Sequence, residues 1–130
     1  MIINELQFLG KRYGEEKERI FQNSDIFVFP TYYECECFPL VLLEAMQYGL
    51  PCVTTDEGGI RDIVENGRNG FVCPRQDAMA VADALDTLIN DSELRTTMGK
   101  EGRKKLMKLF TESVFEERLK EIFEETIQHY

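Results

Sequence analysis

The sequence predicts an α/β fold, with a mostly parallel sheet of about four short strands covered by helices and followed by an all-helical C-terminal region. Three observations predict it. Short apolar runs rich in aromatic and β-branched residues alternate with segments of helical spacing through the first 74 residues. Strands separated by helices pair in parallel, with the helices lying on the sheet. After Pro74 the strand-like runs stop and only helical periodicity remains. At 130 residues and 43% hydrophobic content the chain is long enough for one domain with a real core and too short for two.

Residues 6–10, Leu-Gln-Phe-Leu-Gly, read as a first strand closed by glycine. Residues 15–23 form a short helix with Ile20 and Phe21 on its inner side. The run Ile-Phe-Val-Phe at 26–29, bounded by Asp25 and Pro30, has the length and composition of a fully buried strand. A short polar loop follows, and Pro39 suits a first helical turn because that turn has no use for its missing N–H. The helix runs over 40–48 and stops at Gly49. Residues 51–55 are a third strand, and Asp56-Glu57-Gly58-Gly59 turns into a short helix at 60–65. Turn chemistry at 66–70 precedes a fourth strand at 71–73.

In the helical part, Asp77 is the expected N-cap of a helix whose Val81, Leu85, Leu88 and Ile89 share a face. Ser92 is expected to cap the next, which Gly99 and Gly102 weaken and which turns basic at Arg103-Lys104-Lys105. That cluster reads as a solvated face or, less simply, as an anion site. Thr111 or Ser113 starts the last helix, with Ser113 and Glu116 at capping-box spacing and Phe115, Leu119, Ile122 and Phe123 as its inner stripe.

Composition excludes several partners. With 15 basic against 24 acidic residues, a net of −9, the chain is unsuited to a nucleic-acid backbone or an anionic membrane surface. No run approaches the ~20 apolar residues that span a bilayer, and residues 1–5 lack a leader's basic start. The four cysteines form no Cys-x-x-Cys pair and His129 is the single histidine, so no zinc ligand set is laid out. Cys52 and Cys73 sit in strand-like runs as small hydrophobes of a reducing compartment. Cys35 and Cys37 are too closely spaced for an unstrained bridge.

Two carboxylates stand out. Glu44 lies among Leu40, Val41, Leu43, Ala45 and Met46, so it either occupies the one solvent-facing stripe of its helix or is partly buried and needs a partner or ligand. Glu36, just ahead of the helix, either compensates the helix dipole or joins Glu44 at the strand's carboxyl end in holding a ligand whose anionic part faces the helix.

The segment resembles the signature of the retaining glycosyltransferases of family 4, the glycogen-synthase-like group with the two-domain GT-B fold. The matching pieces are Phe29-Pro30-Thr31, then Glu36 separated by seven residues from Glu44-Ala45-Met46, then Gly49-Leu50-Pro51-Cys52-Val53, and Gly58-Gly59. The likeness extends through Phe8-Leu9-Gly10, Ser24-Asp25 and residues 66–74. It implies a Rossmann-like, three-layer αβα domain over residues 1–130, the truncated donor-binding half of a hexosyltransferase. Glu36 would be the catalytic carboxylate, meeting hydroxyls of the transferred sugar. Cys37, Phe38, Pro39, Leu40 and Val41 would line the donor, with amides near Phe38 and Leu40 facing its diphosphate, and Glu44 would accept from the ribose. Glu34 competes with Glu36, whose spacing to Glu44 is the matching one. Many members have Gly-Phe-Gly where this chain has Cys37-Phe38-Pro39, and Pro39 cannot donate an N–H.

The resemblance also implies what is missing: an acceptor domain, and two strands carrying a basic pair for the diphosphate. Residues 6–10 would then move beside 26–29 or pair in another subunit, giving a homo-oligomer through the exposed sheet edge. The expected partner is a nucleotide-sugar donor, with no metal or other cofactor and no nucleic acid. The expected compartment is the cytoplasm, with any peripheral membrane contact made through the missing N-terminal domain. The chain alone is not expected to turn over. The alternatives are a non-catalytic interaction module on the same scaffold, or another GT-B enzyme such as a nucleotide-sugar 2-epimerase.

Overall fold

The computed structural model describes residues 6–129; the leader-free reading of residues 1–5 lies outside them. The elements are α1 Gly14–Gln22, β1 Phe27–Phe29, α2 Leu40–Gln47, β2 Cys52–Thr55, α3 Ile60–Ile63, β3 Gly70–Cys73, α4 Ala78–Asn90, α5 Ser92–Leu109 and α6 Glu112–Gln128. The strands form a parallel sheet in the order β1-β2-β3, with Phe27 opposite Cys52 and Val53 opposite Phe71. The expected α/β class is what forms.

The central strand organises the layers. All four residues of β2 are buried, and its side chains alternate between faces. Cys52 joins Phe21, Leu42, Met46, Ile60 and Ile63 under α1, α2 and α3. Val53 joins Cys73, Ala84, Leu88 and Met98 under α4 and α5. Helices therefore cover both faces, and α5 reaches both clusters, through Met98 in one and Leu106 in the other. The β2 hydroxyls work sideways: Thr54 Oγ1 donates to the Phe29 carbonyl at 2.8 Å and Thr55 Oγ1 to the Thr31 carbonyl. These bonds fix the carboxyl end of β1, where the acidic loop departs.

Helix ends follow the local chemistry. Asp77 caps α4 by accepting from Ala80 N–H. Gly49 adopts φ +69, and the Gly49 and Leu50 amides return to the Met46 and Ala45 carbonyls, which ends α2. Pro39 is the N-cap of α2 instead of lying within its first turn.

Several expectations are overturned. Residues 6–10 form no strand and take no place beside β1; Leu6 and Phe8 are 91% and 94% exposed. Gly10 ends this run with a left-handed φ of +66, and the free edge of β1 takes no partner among the described residues. The sheet thus has three strands. β1 is an edge strand and only half-buried, with Val28 exposed. Asp91, not Ser92, caps α5, since its carboxylate reaches Leu94 N–H at 2.9 Å. Thr111 caps α6, and Ser113 bonds to the Thr111 hydroxyl and forms no capping box. Ile20 and Ile89 lie toward solvent, and the stripe Phe115, Leu119, Ile122 and Phe123 is exposed because α6 contributes no buried residue to either cluster. The basic cluster is not simply solvated. Lys105 pairs with Glu65 at 2.9 Å and is mostly covered, while Arg103 donates to the Gln47 carbonyl at the end of α2.

The α5 glycines are packing residues. A Cβ at Gly99 would overlap the Gly49 carbonyl, whereas one at Gly102 would meet the flexible Met46 side chain at 3.4 Å. Gly99→Ala is expected to destabilise the fold by about 1–3 kcal/mol through this overlap. Gly102→Ala should change it by less than about 1 kcal/mol, since helix propensity favours alanine there. Urea unfolding of the two variants checks this, and equal effects would contradict the close α2–α5 approach.

Candidate functional site

The acidic loop leaves β1 at Pro30 and turns back at once, with Glu36 N–H donating to the Tyr33 carbonyl at 2.9 Å. It is held from below by the turn that follows β2. Gly59 N–H donates to the Cys37 carbonyl at 2.6 Å, and a Cβ at Gly58 would overlap the Glu36 carbonyl. Gly58 also has φ +47, a left-handed conformation that side chains rarely adopt. The Gly-Gly pair and the Glu36-Cys37 backbone therefore interlock, which explains why the sequence places a turn without side chains just there.

Beyond the loop, Pro39 is buried and its carbonyl accepts from Leu42 N–H at 3.1 Å. Helix α2 buries Leu42, Ala45 and Met46, leaves Leu40 exposed and holds Val41, Leu43 and Glu44 at half depth. Of the two readings of Glu44, the paired one holds. Its Oε2 lies 2.5 Å from Lys17 Nζ, with the side chain 39% accessible. One turn along each helix, Phe21 stacks on Tyr48 with centroids 5.5 Å apart. Lys17–Glu44 and Phe21–Tyr48 thus form two rungs joining α1 to α2. Glu36 is half-buried, and among the described residues no cation lies within ion-pairing distance of it.

The remaining predicted residues divide between two sides. Phe38 and Leu40, with Leu43, line a cleft of about 450 Å³ whose far wall is Leu109, Phe110, Thr111, Phe115 and Arg118. Phe38 meets Phe110 edge-on at 5.7 Å. Neither Glu36 nor Glu44 lines that cleft. Cys37 is exposed, and its thiol donates to the Cys35 carbonyl at 3.5 Å; Glu34 is also exposed. All four cysteines are free, and burial pushes the Cys52 thiol up to about 12.

Sequence reasoning missed the charges around the glycine turn. Arg61 Nε bonds Asp56 Oδ1 at 2.7 Å, and Arg75 Nε donates to the Asp56 carbonyl at 2.8 Å. Glu57, only 4% exposed, lies against Arg75. The hydrogen bond from Arg61 holds the Asp56 carboxyl below its usual range, partly opposed by desolvation. Lys105, then Arg68, do the same for Glu65. An acidic pair next to Gly-Gly was the available signal, but its partners come from α3 and from beyond β3.

A parallel sheet covered on both faces, with an acidic loop at its carboxyl ends and a helix starting behind that loop, is a Rossmann-like domain, the class to which the domains of GT-B glycosyltransferases belong. The chain belongs to the family described as glycosyl transferases group 1, whose model matches residues 1–105. It is 37% identical over 103 residues to the capsular polysaccharide biosynthesis glycosyltransferase CapM of Staphylococcus aureus, covering 79% of this chain and 27% of that protein. It is also 37% identical over 103 residues to the N-acetyl-alpha-D-glucosaminyl L-malate synthase of Bacillus anthracis, covering 79% and 26%. Among solved structures, the sucrose-phosphate synthase of Thermosynechococcus elongatus superposes with a TM-score of 0.83 at 28% identity, over 95% of this chain and 31% of that one. Anabaena HepE, solved with UDP-glucose, superposes at 0.82 and 24% identity over 95% and 33%, a likeness of fold. The chain therefore spans about a quarter of the length of these curated relatives. No helix among the described residues is long and apolar enough to cross a membrane.

Because Arg61 depresses Asp56, the stability it supplies is complete above the unfolded carboxyl value of about 3.9. It is lost as pH falls through the lower folded value. Carboxyl-detected NMR titration should place the Asp56 midpoint below that reference, and Arg61→Met should raise it; an unmoved midpoint would remove the Arg61 bond as the cause.

Proposed function

We propose that this chain is the donor-binding part of a retaining, family 4 glycosyltransferase that moves a hexose from a nucleotide sugar to an acceptor. The observation that carries the reading is the interlock of Gly58-Gly59 with the Glu36-Cys37 backbone, which holds a carboxylate and the start of α2 together at the strands' carboxyl ends. Family membership supports it, as does the likeness of fold to HepE, which was solved with UDP and with UDP-glucose.

In this reading Glu36 accepts hydrogen bonds from hydroxyls of the transferred sugar. Amides near Phe38 and Leu40 face the diphosphate, which gains charge as the glycosidic bond breaks, so they favour the transition state over the ground state. Cys37, Pro39 and Val41 shape the same wall, and Pro39 contributes no N–H to it. Lys17 occupies one oxygen of Glu44, and the other accepts from the ribose. The chemistry calls on no metal, and free thiols suit a reducing cytoplasm. Acceptor binding belongs to a part of the enzyme outside this chain, so these 130 residues alone bind donor without turning it over.

One observation favours a second reading. The Lys17–Glu44 pair gives Glu44 a structural partner that needs no ligand, as a non-catalytic scaffold would require. Calorimetric titration with UDP and UDP-glucose separates the two. Glu44→Ala is expected to weaken both ligands by about tenfold, the size of a lost charged hydrogen bond. Glu36→Gln should weaken UDP-glucose and spare UDP. Unchanged affinities in Glu44→Ala would support the scaffold, and turnover by the isolated chain would overturn the division of labour.

A further inference from the structure

We propose that Arg75 is a positioning residue for Glu36, acting through Glu57 and the 56–59 turn; this rests on the reading of Glu36 as the sugar-contacting carboxylate. Arg75 follows β3 and is distant from the acidic loop in sequence, yet four contacts connect them. Its Nε donates to the Asp56 carbonyl at 2.8 Å and lies 2.9 Å from Glu57 Oε1. The turn so held carries Gly59, whose N–H donates to the Cys37 carbonyl at 2.6 Å. It also carries Gly58, whose Cα packs on the Glu36 carbonyl with no room for a Cβ.

The Glu57 carboxylate makes this connection obligatory. It is 4% exposed, and Oε1 receives no hydrogen bond because the single Nε proton is aimed at the Asp56 carbonyl. What offsets its burial is the adjacent guanidinium charge. Among the described residues Arg75 is the one cation within ion-pairing distance of it. Remove that cation and the buried carboxylate loses what offsets its burial and moves out toward water. That movement drags the turn, and with it the amide that holds Cys37. Arg61, on Asp56 Oδ1, secures the other side of the turn and leaves Glu57 untouched.

Arg75 itself is more than half exposed, so its replacement opens no cavity. A merely structural arginine would lower stability and weaken every ligand alike. A positioning arginine alters most what depends on Glu36, so UDP-glucose loses more affinity than UDP, whose diphosphate meets the same loop only through the amides beside Phe38.

The test uses the 130-residue chain labelled for NMR, with UDP and UDP-glucose as probes. In Arg75→Met the Gly59 amide is expected to exchange at least tenfold faster, and the UDP-glucose to UDP affinity ratio to fall to that of Glu36→Gln. Glu57→Gln, which removes the charge and keeps the shape, should restore both when added to Arg75→Met. Unchanged Gly59 exchange and ratio in Arg75→Met would overturn the proposal, as would parallel weakening of both ligands tracking a lower Tm. A wild-type chain that binds neither ligand would instead sink the donor-site reading, and this proposal with it. Failure of the proposal alone leaves wild-type sugar-dependent binding intact.

Discussion

The site depends on two backbones coming closer than any side chain allows. Gly58 and Gly59 lie directly under the carbonyls of Glu36 and Cys37, so the loop after β1 is held by the turn after β2 and not by its own sequence. A polar loop of this length has little intrinsic preference for one shape. It obtains one from a neighbouring turn whose conformation is fixed by φ, by Arg61 and by Arg75. The hydroxyls of Thr54 and Thr55 anchor the other end of the loop to β2. The carboxylate at its tip is therefore placed by the sheet.

Charge in the molecule is handled by position. Where a carboxylate is half-exposed, as at Glu44, one lysine and an aromatic stack beneath suffice. Where it is buried, as at Glu57, a guanidinium is brought from another strand end. Among the described residues Glu36 has neither arrangement, so its half-buried carboxylate keeps oxygens free to accept hydrogen bonds.

Much of this was legible in the sequence because it rests on local pattern. The strands read at 51–55 and 71–73, found at Cys52–Thr55 and Gly70–Cys73, the Gly49 stop and the Asp77 cap each follow from residues within a turn of one another. What was not legible depends on partners remote in the chain. Residues 6–10 have a strand's composition but leave the free edge of β1 unfilled, and composition alone does not decide pairing. Phe115, Leu119, Ile122 and Phe123 have helical spacing, yet spacing says only that they share a face and nothing of what lies opposite. Gly99 looks like a helix weakener until the Gly49 carbonyl is seen against it. Within the site, the Glu36-to-Glu44 spacing was readable, whereas Lys17 and Arg75 were not, since ion pairs across elements leave no sequence period.

Helix α5 touches both halves of the interior, with Met98 on one side of the sheet and Leu106 on the other. A helix shared in this way acts as a common strut. Loosening either layer withdraws support from its opposite, so the two halves are bound to melt as a single unit, and a small three-stranded sheet gains cooperativity that its own ladders are too short to provide.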